Sequence, residues 1–191
     1  MKNDIVEKVA AKIARLRTPG KRLIVAIDGR CASGKTTLAE GLKNVTGCTV
    51  FHTDDYFLRP EQRVDERFLT PGGNFDRERF LDEVLRPLSS GEDTVVYRKF
   101  DCKTMTLGDT VTVAPADVVI IEGSYACHPD LFGFYDLRVF LSISKEEQIA
   151  RILSRNGLEG LQNFLEKWIP LEEAYFAAFD VERKCDITFK T

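Results

Sequence analysis

The chain is poor in everything that would mark a disulfide-stapled, metal-bound or membrane-embedded protein. Its five cysteines, Cys31, Cys48, Cys102, Cys127 and Cys185, are odd in number, widely spaced and without a C-x-x-C pair. That pattern argues against a disulfide framework and a zinc site, and for free thiols in a reducing cytoplasm. Histidine occurs only at His52 and His128, too few for a histidine metal centre. No apolar run approaches the ~20 residues that cross a bilayer, so no membrane partner is expected. Nor is there an excess of positive charge: 27 Lys and Arg face 30 Asp and Glu, a net charge of -3. A dedicated nucleic-acid binder would show a clear basic surplus. The opening stretch, MKNDIVEKVAAKIARLR, has no apolar core of a secretory signal, and Asp4 and Glu7 set it apart from a transit peptide.

What remains is an ordinary globular composition. The 191 residues, 43% hydrophobic and 30% charged, predict a single domain over 1–191 with a core that needs no staples. A homo-oligomer stays open. Ile5, Val9, Ile13 and Leu16 recur at helical spacing over residues 4–17. LIVAI at 23–27 and DVVIIE at 117–122 are short continuous apolar runs, as in strands buried on both faces. Further strands are expected at 49–52, 136–143 and 186–189, and helices at 35–44, 76–85 (ended by Pro87) and 145–155. Residues 54–74 read as irregular. Leu161, Leu165, Trp168, Tyr175 and Phe179 continue a helical stripe that Pro170 must kink or divide. On that stripe Phe164 and Trp168 read as core. Strands alternating with helices predict an α/β fold around a mostly parallel sheet, with a small β insert at about 88–113.

Residues 29–36, Gly29-Arg30-Cys31-Ala32-Ser33-Gly34-Lys35-Thr36, match G-x-x-x-x-G-K-[ST]. They follow a buried strand and open a helix, as the mechanics of a phosphate loop require. Glycine lets the backbone turn its N–H groups onto phosphate oxygens, and the helix start adds its positive dipole end. The loop from Gly29 through Ala32, Ser33 and Gly34 to Thr37 is therefore expected to cradle a nucleotide. Lys35 would reach its β- and γ-phosphates, and the Thr36 hydroxyl would sit on Mg²⁺. Glu122, ending VVIIE, is expected to supply the carboxylate near that ion. Asp54 and Asp55 stand just past the second strand, where loops face the crevice, and one of them is the expected base for an acceptor hydroxyl. There is no N-K-x-D motif for guanine and no L-S-G-G-Q signature, so a GTPase switch and a transporter ATPase lose support.

IDGRCASGKTT, HTDDYFLRP, NFD and VVIIEG, in that order and spacing, resemble the uridine kinase and phosphoribulokinase group of P-loop kinases over roughly residues 22–189. The resemblance implies a P-loop NTPase fold: a doubly wound sheet of five parallel strands, flanking helices and a helical lid, here at about 145–160. It implies transfer of the ATP γ-phosphate, with Mg²⁺, to a hydroxyl of a small molecule. It makes Asp54 the general base and places Tyr56 and Phe57 against the acceptor. It also assigns Asp76, in Asn74-Phe75-Asp76, to ribose hydroxyls, and Tyr97 to the acceptor side. Arg151 and Arg155, four apart on one helical face, match lid arginines: Arg151 would neutralise transition-state charge and Arg155 would hold the nucleotide.

One segment departs from the group. VYRKFDCKT has Arg98 after Tyr97 where the group has Asp, and Cys102 about where it has a nucleobase-contacting His. The acceptor is expected to be a pyrimidine nucleoside. Another hydroxylated metabolite, pantothenate-like or sugar-like, is the alternative, and Arg98 and Lys99 could face a more anionic one. A nucleotide-binding regulatory module with weak ATPase activity is the alternative of a different class.

Overall fold

The computed structural model describes residues 2–191. At its centre is β1 (Leu23–Gly29), every residue of which is buried. It pairs in parallel with β5 (Val118–Glu122) on one side and β6 (Leu137–Ser142) on the other. The edge strands β2 (Thr49–His52) and β7 (Ile187–Lys190) complete a five-stranded, all-parallel sheet in the order β2-β5-β1-β6-β7. Because side chains alternate along a strand, β1 feeds two cores. Ile24 and Ala26 point to one face, with Phe51, Phe80 and Phe140. Leu23, Val25 and Ile27 point to the other, with Val9, Ile13, Leu38 and Leu42. Those last four come from α1 (Lys2–Leu16) and α2 (Lys35–Thr46), the two helices that cover this face. Both faces being covered is why the strands read as unbroken apolar runs.

Beyond β2 the chain is less irregular than its glycines and prolines suggest. It makes 3₁₀ turns at Thr53–Tyr56 and Pro60–Gln62 and a short helix, α3 (Asp65–Leu69). A longer helical stretch follows, made of α4 (Arg77–Phe80), a π-helical turn (Leu81–Leu85) and α5 (Arg86–Ser90). Pro87 therefore does not end the helix, against expectation. It sits second after the π-helical turn, whose wider loop moves aside the carbonyl that a proline ring would strike and leaves no amide bond for it to break. The insert is an antiparallel pair, β3 (Val95–Asp101) and β4 (Thr106–Val113), lying against the Tyr56 turn.

The same device recurs near the C-terminus. The helix α6 (Lys145–Asn163) is interrupted at Gly157, which has φ 69° and ψ -175°. It runs into a π-helical turn (Phe164–Trp168) and then α7 (Ile169–Phe179), with Pro170 second after that turn. Leu153, next to the fully buried Ile152 on α6, is exposed. A final turn, α8 (Val181–Lys184), leads into β7. Past β7, Thr191 donates its hydroxyl to Ser33 O at 2.9 Å. Among the described residues no helix is long and apolar enough to cross a membrane. The strand order reverses at β1, so a crevice opens beyond the carboxyl ends of β1, β2 and β5, the usual ligand position in such sheets.

Candidate active site

The crevice holds a cavity of about 680 Å³. Its floor is the turn from β1 into α2. Gly29 has φ 138°, and a Cβ there would lie 2.1 Å from Leu141 O on β6, so only glycine fits. Gly34 has φ 96° at the helix entrance. The turn is braced from outside. The Arg30 guanidinium bonds Glu173 (2.7 Å), Ser142 (2.9 Å) and Glu182 (3.1 Å) and lies over the Phe140 and Phe176 rings. Cys31 N–H donates to Glu172 at 2.9 Å, and the other oxygen of Glu172 accepts from Ser124 Oγ at 2.7 Å. Gln148 and Arg151 donate to the carbonyls of Cys31 (3.1 Å) and Ala32 (3.2 Å). With carbonyls held outward, the first N–H groups of α2 are left facing the cavity, since a helix start has no internal acceptors for them. Lys35 Nζ folds over the turn, donating to Gly29 O (2.6 Å) and Arg30 O (3.2 Å).

A second group sits at the ends of β2 and β5. Thr36 Oγ1 lies 3.3 and 3.4 Å from the two oxygens of Glu122. Glu122 is also bonded to His52 Nδ1 at 2.5 Å, which raises the pKa of His52. Gly123 has φ 134°, and a Cβ there would lie 2.2 Å from Thr53 Oγ1 and 3.2 Å from Asp54 Oδ1. Its bare backbone lets the two strand ends close together and sets Asp54 beside Glu122. The Asp54 carboxylate opens onto the cavity, and the residue is exposed there. Loss of water around it raises its pKa; Lys35 opposes that rise and Glu122 adds to it.

These residues suit a nucleotide and its ion. Loop amides, a helix start and one lysine make a phosphate-binding set. A hydroxyl next to a carboxylate offers the hard oxygen ligands that Mg²⁺ takes one or two at a time, alongside phosphates. Among the described residues no group of three His, Cys, Asp or Glu could hold a metal without such help.

The cavity brings together most of the residues singled out in the sequence: Ala32, Gly34, Lys35, Thr36, Thr37, Asp54, Phe57, Glu122, Arg151 and Arg155 all line it. Gly29 and Ser33 form the back of the turn instead. Three residues expected on the acceptor side, Tyr56, Asp76 and Tyr97, lie outside the lining. Tyr56 is fully buried under the Arg79 guanidinium and against Phe80. Tyr97 packs on Phe51 and Tyr56. Asp76 caps α4, accepting from Arg79 N at 3.3 Å, and is ion-paired to Arg79 and Arg59. Arg98 and Lys99 do not reach the cavity either. Arg98 bonds carbonyls of its own hairpin and Lys99 pairs with Asp55 at 2.9 Å.

Phe164 and Trp168, expected in the core, line the far wall with Lys167, Arg63, Phe68, Asn74 and Cys102. The ring of Phe57 lies 6.3 Å from that of Trp168. Two further carboxylates escaped sequence reasoning. Glu172 braces the loop as described. Asp28 is fully buried, accepting from Gly29 N (2.7 Å), Cys127 N (2.8 Å) and Tyr175 Oη (2.9 Å). Burial lifts its pKa to about 6 against these hydrogen bonds and Lys35. The one signal for Asp28 was an acid inside an otherwise apolar strand.

No protein-family model matches the chain. It is similar to the uridine kinase of Staphylococcus aureus strain JH9, 30% identical over 147 residues that cover 71% of this chain and 69% of that one. Among solved structures it resembles a possible uridine kinase from Bacillus stearothermophilus, with a TM-score of 0.73 at 22% identity over 98% of both chains. D-glycerate 3-kinase from Cryptococcus neoformans aligns with a TM-score of 0.62 at 17% identity, over 89% of this chain and 88% of that one. At such identities the two structures speak for the fold alone.

Proposed function

This chain belongs to the uridine kinase family of P-loop kinases, and from that premise we propose that it transfers the ATP γ-phosphate to a hydroxyl of a small acceptor. One observation carries the reading: the Asp54 carboxylate opens into the same cavity as the phosphate loop and the Thr36–Glu122 pair. Loop amides and Lys35 bind the phosphates. Thr36 and Glu122 would hold Mg²⁺, with His52 fixing the Glu122 carboxylate. The ion, when bound, neutralises charge on the phosphoryl group in transit. Asp54 takes the acceptor proton at a carboxylate oxygen, and a carboxylate less acidic than usual suits that task. Arg151 and Arg155, on the α6 wall, stabilise charge on the equatorial oxygens.

The relatives' name makes uridine the first acceptor to try. A different hydroxylated metabolite is favoured by the position of Asp76, the carboxylate expected on ribose, which is engaged by Arg79 and Arg59 outside the cavity lining. The test is ADP release from ATP and Mg²⁺ with and without each acceptor, with the product weighed by mass spectrometry. Acceptor-dependent ADP release with an 80-Da gain on the acceptor (roughly the mass of the transferred PO₃ unit) is expected. ADP release indifferent to any acceptor would leave a nucleotide-binding module with ATPase activity.

A further inference from the structure

The far wall of the cavity deepens this reading, on which the following rests. We infer that the acceptor carries an anionic group, a carboxylate or a phosphate, besides the hydroxyl it presents to Asp54, and that Arg63 and Lys167 recognise it. The segment after Asp54 is rich in arginine, and its other members are all paired. Arg59 bonds Glu61 and Asp76, Arg67 bonds Glu78, Arg77 bonds Asp130, and Arg79 bonds Asp76 and Glu83. Arg63 alone of the five has no acidic partner among the described residues, and it is the one that lines the cavity. It is not loose. Its Nε donates to Leu58 O at 2.9 Å and its guanidinium lies 5.8 Å from the Phe100 ring centre, which leaves both terminal nitrogens for a ligand.

Lys167 stands on the same wall with its ammonium 4.7 Å from the Trp168 ring centre and 5.8 Å from that of Phe68. It too has no acidic partner among the described residues. Asn74, 5% exposed, lines the same cavity, its side-chain amide beside the Tyr125 hydroxyl. The wall therefore offers positive charge, while the other carboxylates of the cavity lining, Glu122 and Glu172, are engaged at the loop end by Thr36 and His52 and by Cys31 N–H and Ser124. A neutral diol would call for the opposite, an acceptor such as Asp76, which is used elsewhere. A planar guanidinium matches a carboxylate or phosphate edge with two parallel bonds, and both cations are exposed and open to a ligand.

Trp168 is the sole tryptophan of the chain, so its fluorescence reports on this wall directly. The full-length protein, with Mg²⁺ and a non-hydrolysable ATP analogue, is titrated with D-glycerate, ribose 5-phosphate and uridine, and ADP release is measured in parallel with ATP. One of the two anions is expected to change Trp168 emission at lower concentration than uridine, and which one tells carboxylate from phosphate. Arg63→Gln and Lys167→Gln are each expected to raise the Kd and KM for that anion roughly tenfold or more, with partial recovery in Arg63→Lys. Circular dichroism and melting of each variant separate lost recognition from lost folding. Anion binding without ADP release from any acceptor would overturn the kinase reading and leave the anion site standing. Uridine-dependent ADP release indifferent to both glutamine variants would keep the kinase and overturn the anion site. Failure of both anions to bind overturns it as well.

Discussion

The two ends of the cleft are built from different material. At the loop end main chain meets the ligand through the N–H groups at the start of α2, and the side chains that shape the turn are already paired: Arg30 on two carboxylates, Glu172 on the Cys31 N–H, Lys35 on two carbonyls. At the far end side chains do the work, and Arg63 and Lys167 line the cavity beside aromatic rings without acidic partners among the described residues. The first end is completed by folding. The second is completed by what binds there. Damage to the first should therefore appear as lost stability and nucleotide binding together, and damage to the second as lost acceptor binding on an intact fold.

Asp54 stands at the junction, and its loss is the largest effect expected. Asp54→Asn should lower kcat by ~10³-fold, within the usual range for a general base, while calorimetric ATP affinity stays within about threefold of the parent. Because loss of water around it raises its pKa, kcat/KM should begin to fall at a higher pH than an ordinary aspartate would give, as acid protonates the base. Equal turnover in the variant would remove Asp54 from the reaction.

Next comes a test that touches only the folded-in end. Asp28 has its pKa raised to about 6, against 3.8 for an ordinary carboxyl. Between those values the folded state holds a proton that the unfolded state has released, so stability falls as pH rises from about 4 to about 6. At ~1.4 kcal/mol per unit the total is about 3 kcal/mol. Asp28→Asn should flatten that slope in chemical denaturation across the same window, and an unchanged slope would assign the dependence to other groups. Somewhat smaller is the strain expected from Gly29→Ala. Its Cβ would meet Leu141 O at 2.1 Å and its φ is 138°, which should cost about 2 kcal/mol and lower the melting temperature. Smallest is Lys99→Ala. The Lys99–Asp55 ion pair is half-exposed and lies outside the cavity lining, so its loss should change stability by less than ~1 kcal/mol, with acceptor KM unmoved. A large KM change there would bring the hairpin into the acceptor end.

The same contrast explains what could be read in the amino-acid order. The phosphate loop is eight consecutive residues between a strand and a helix, so local geometry alone carries it. Asp54 and Glu122 follow from standing at strand ends. The far wall is assembled from residues 57–74, 102–105 and 164–168, and nothing local says which side chains turn inward. Tyr56 stands next to Phe57 and Asp76 two residues past Asn74, both of which line the cavity, yet neither Tyr56 nor Asp76 does. Trp168 looked like core because Leu161, Leu165 and Trp168 keep helical spacing. The π-helical turn at Phe164–Trp168 adds a residue to that turn and rotates the stripe, leaving Leu165 40% exposed and Trp168 against the cavity. Asp28 and Glu172 were hidden by their apolar neighbours, since pattern alone does not tell a buried acid from a solvated one.

The hydroxyl of Thr191 on Ser33 O has a practical side. Any residues that come after Thr191, natural or appended for purification, leave the fold within reach of the nucleotide's seat. A peptide tail joined there starts at the Ser33 carbonyl, on the back of the phosphate loop, and pulls on the turn that holds the phosphates. Kinetic constants from differently tagged preparations should therefore diverge first in KM for ATP.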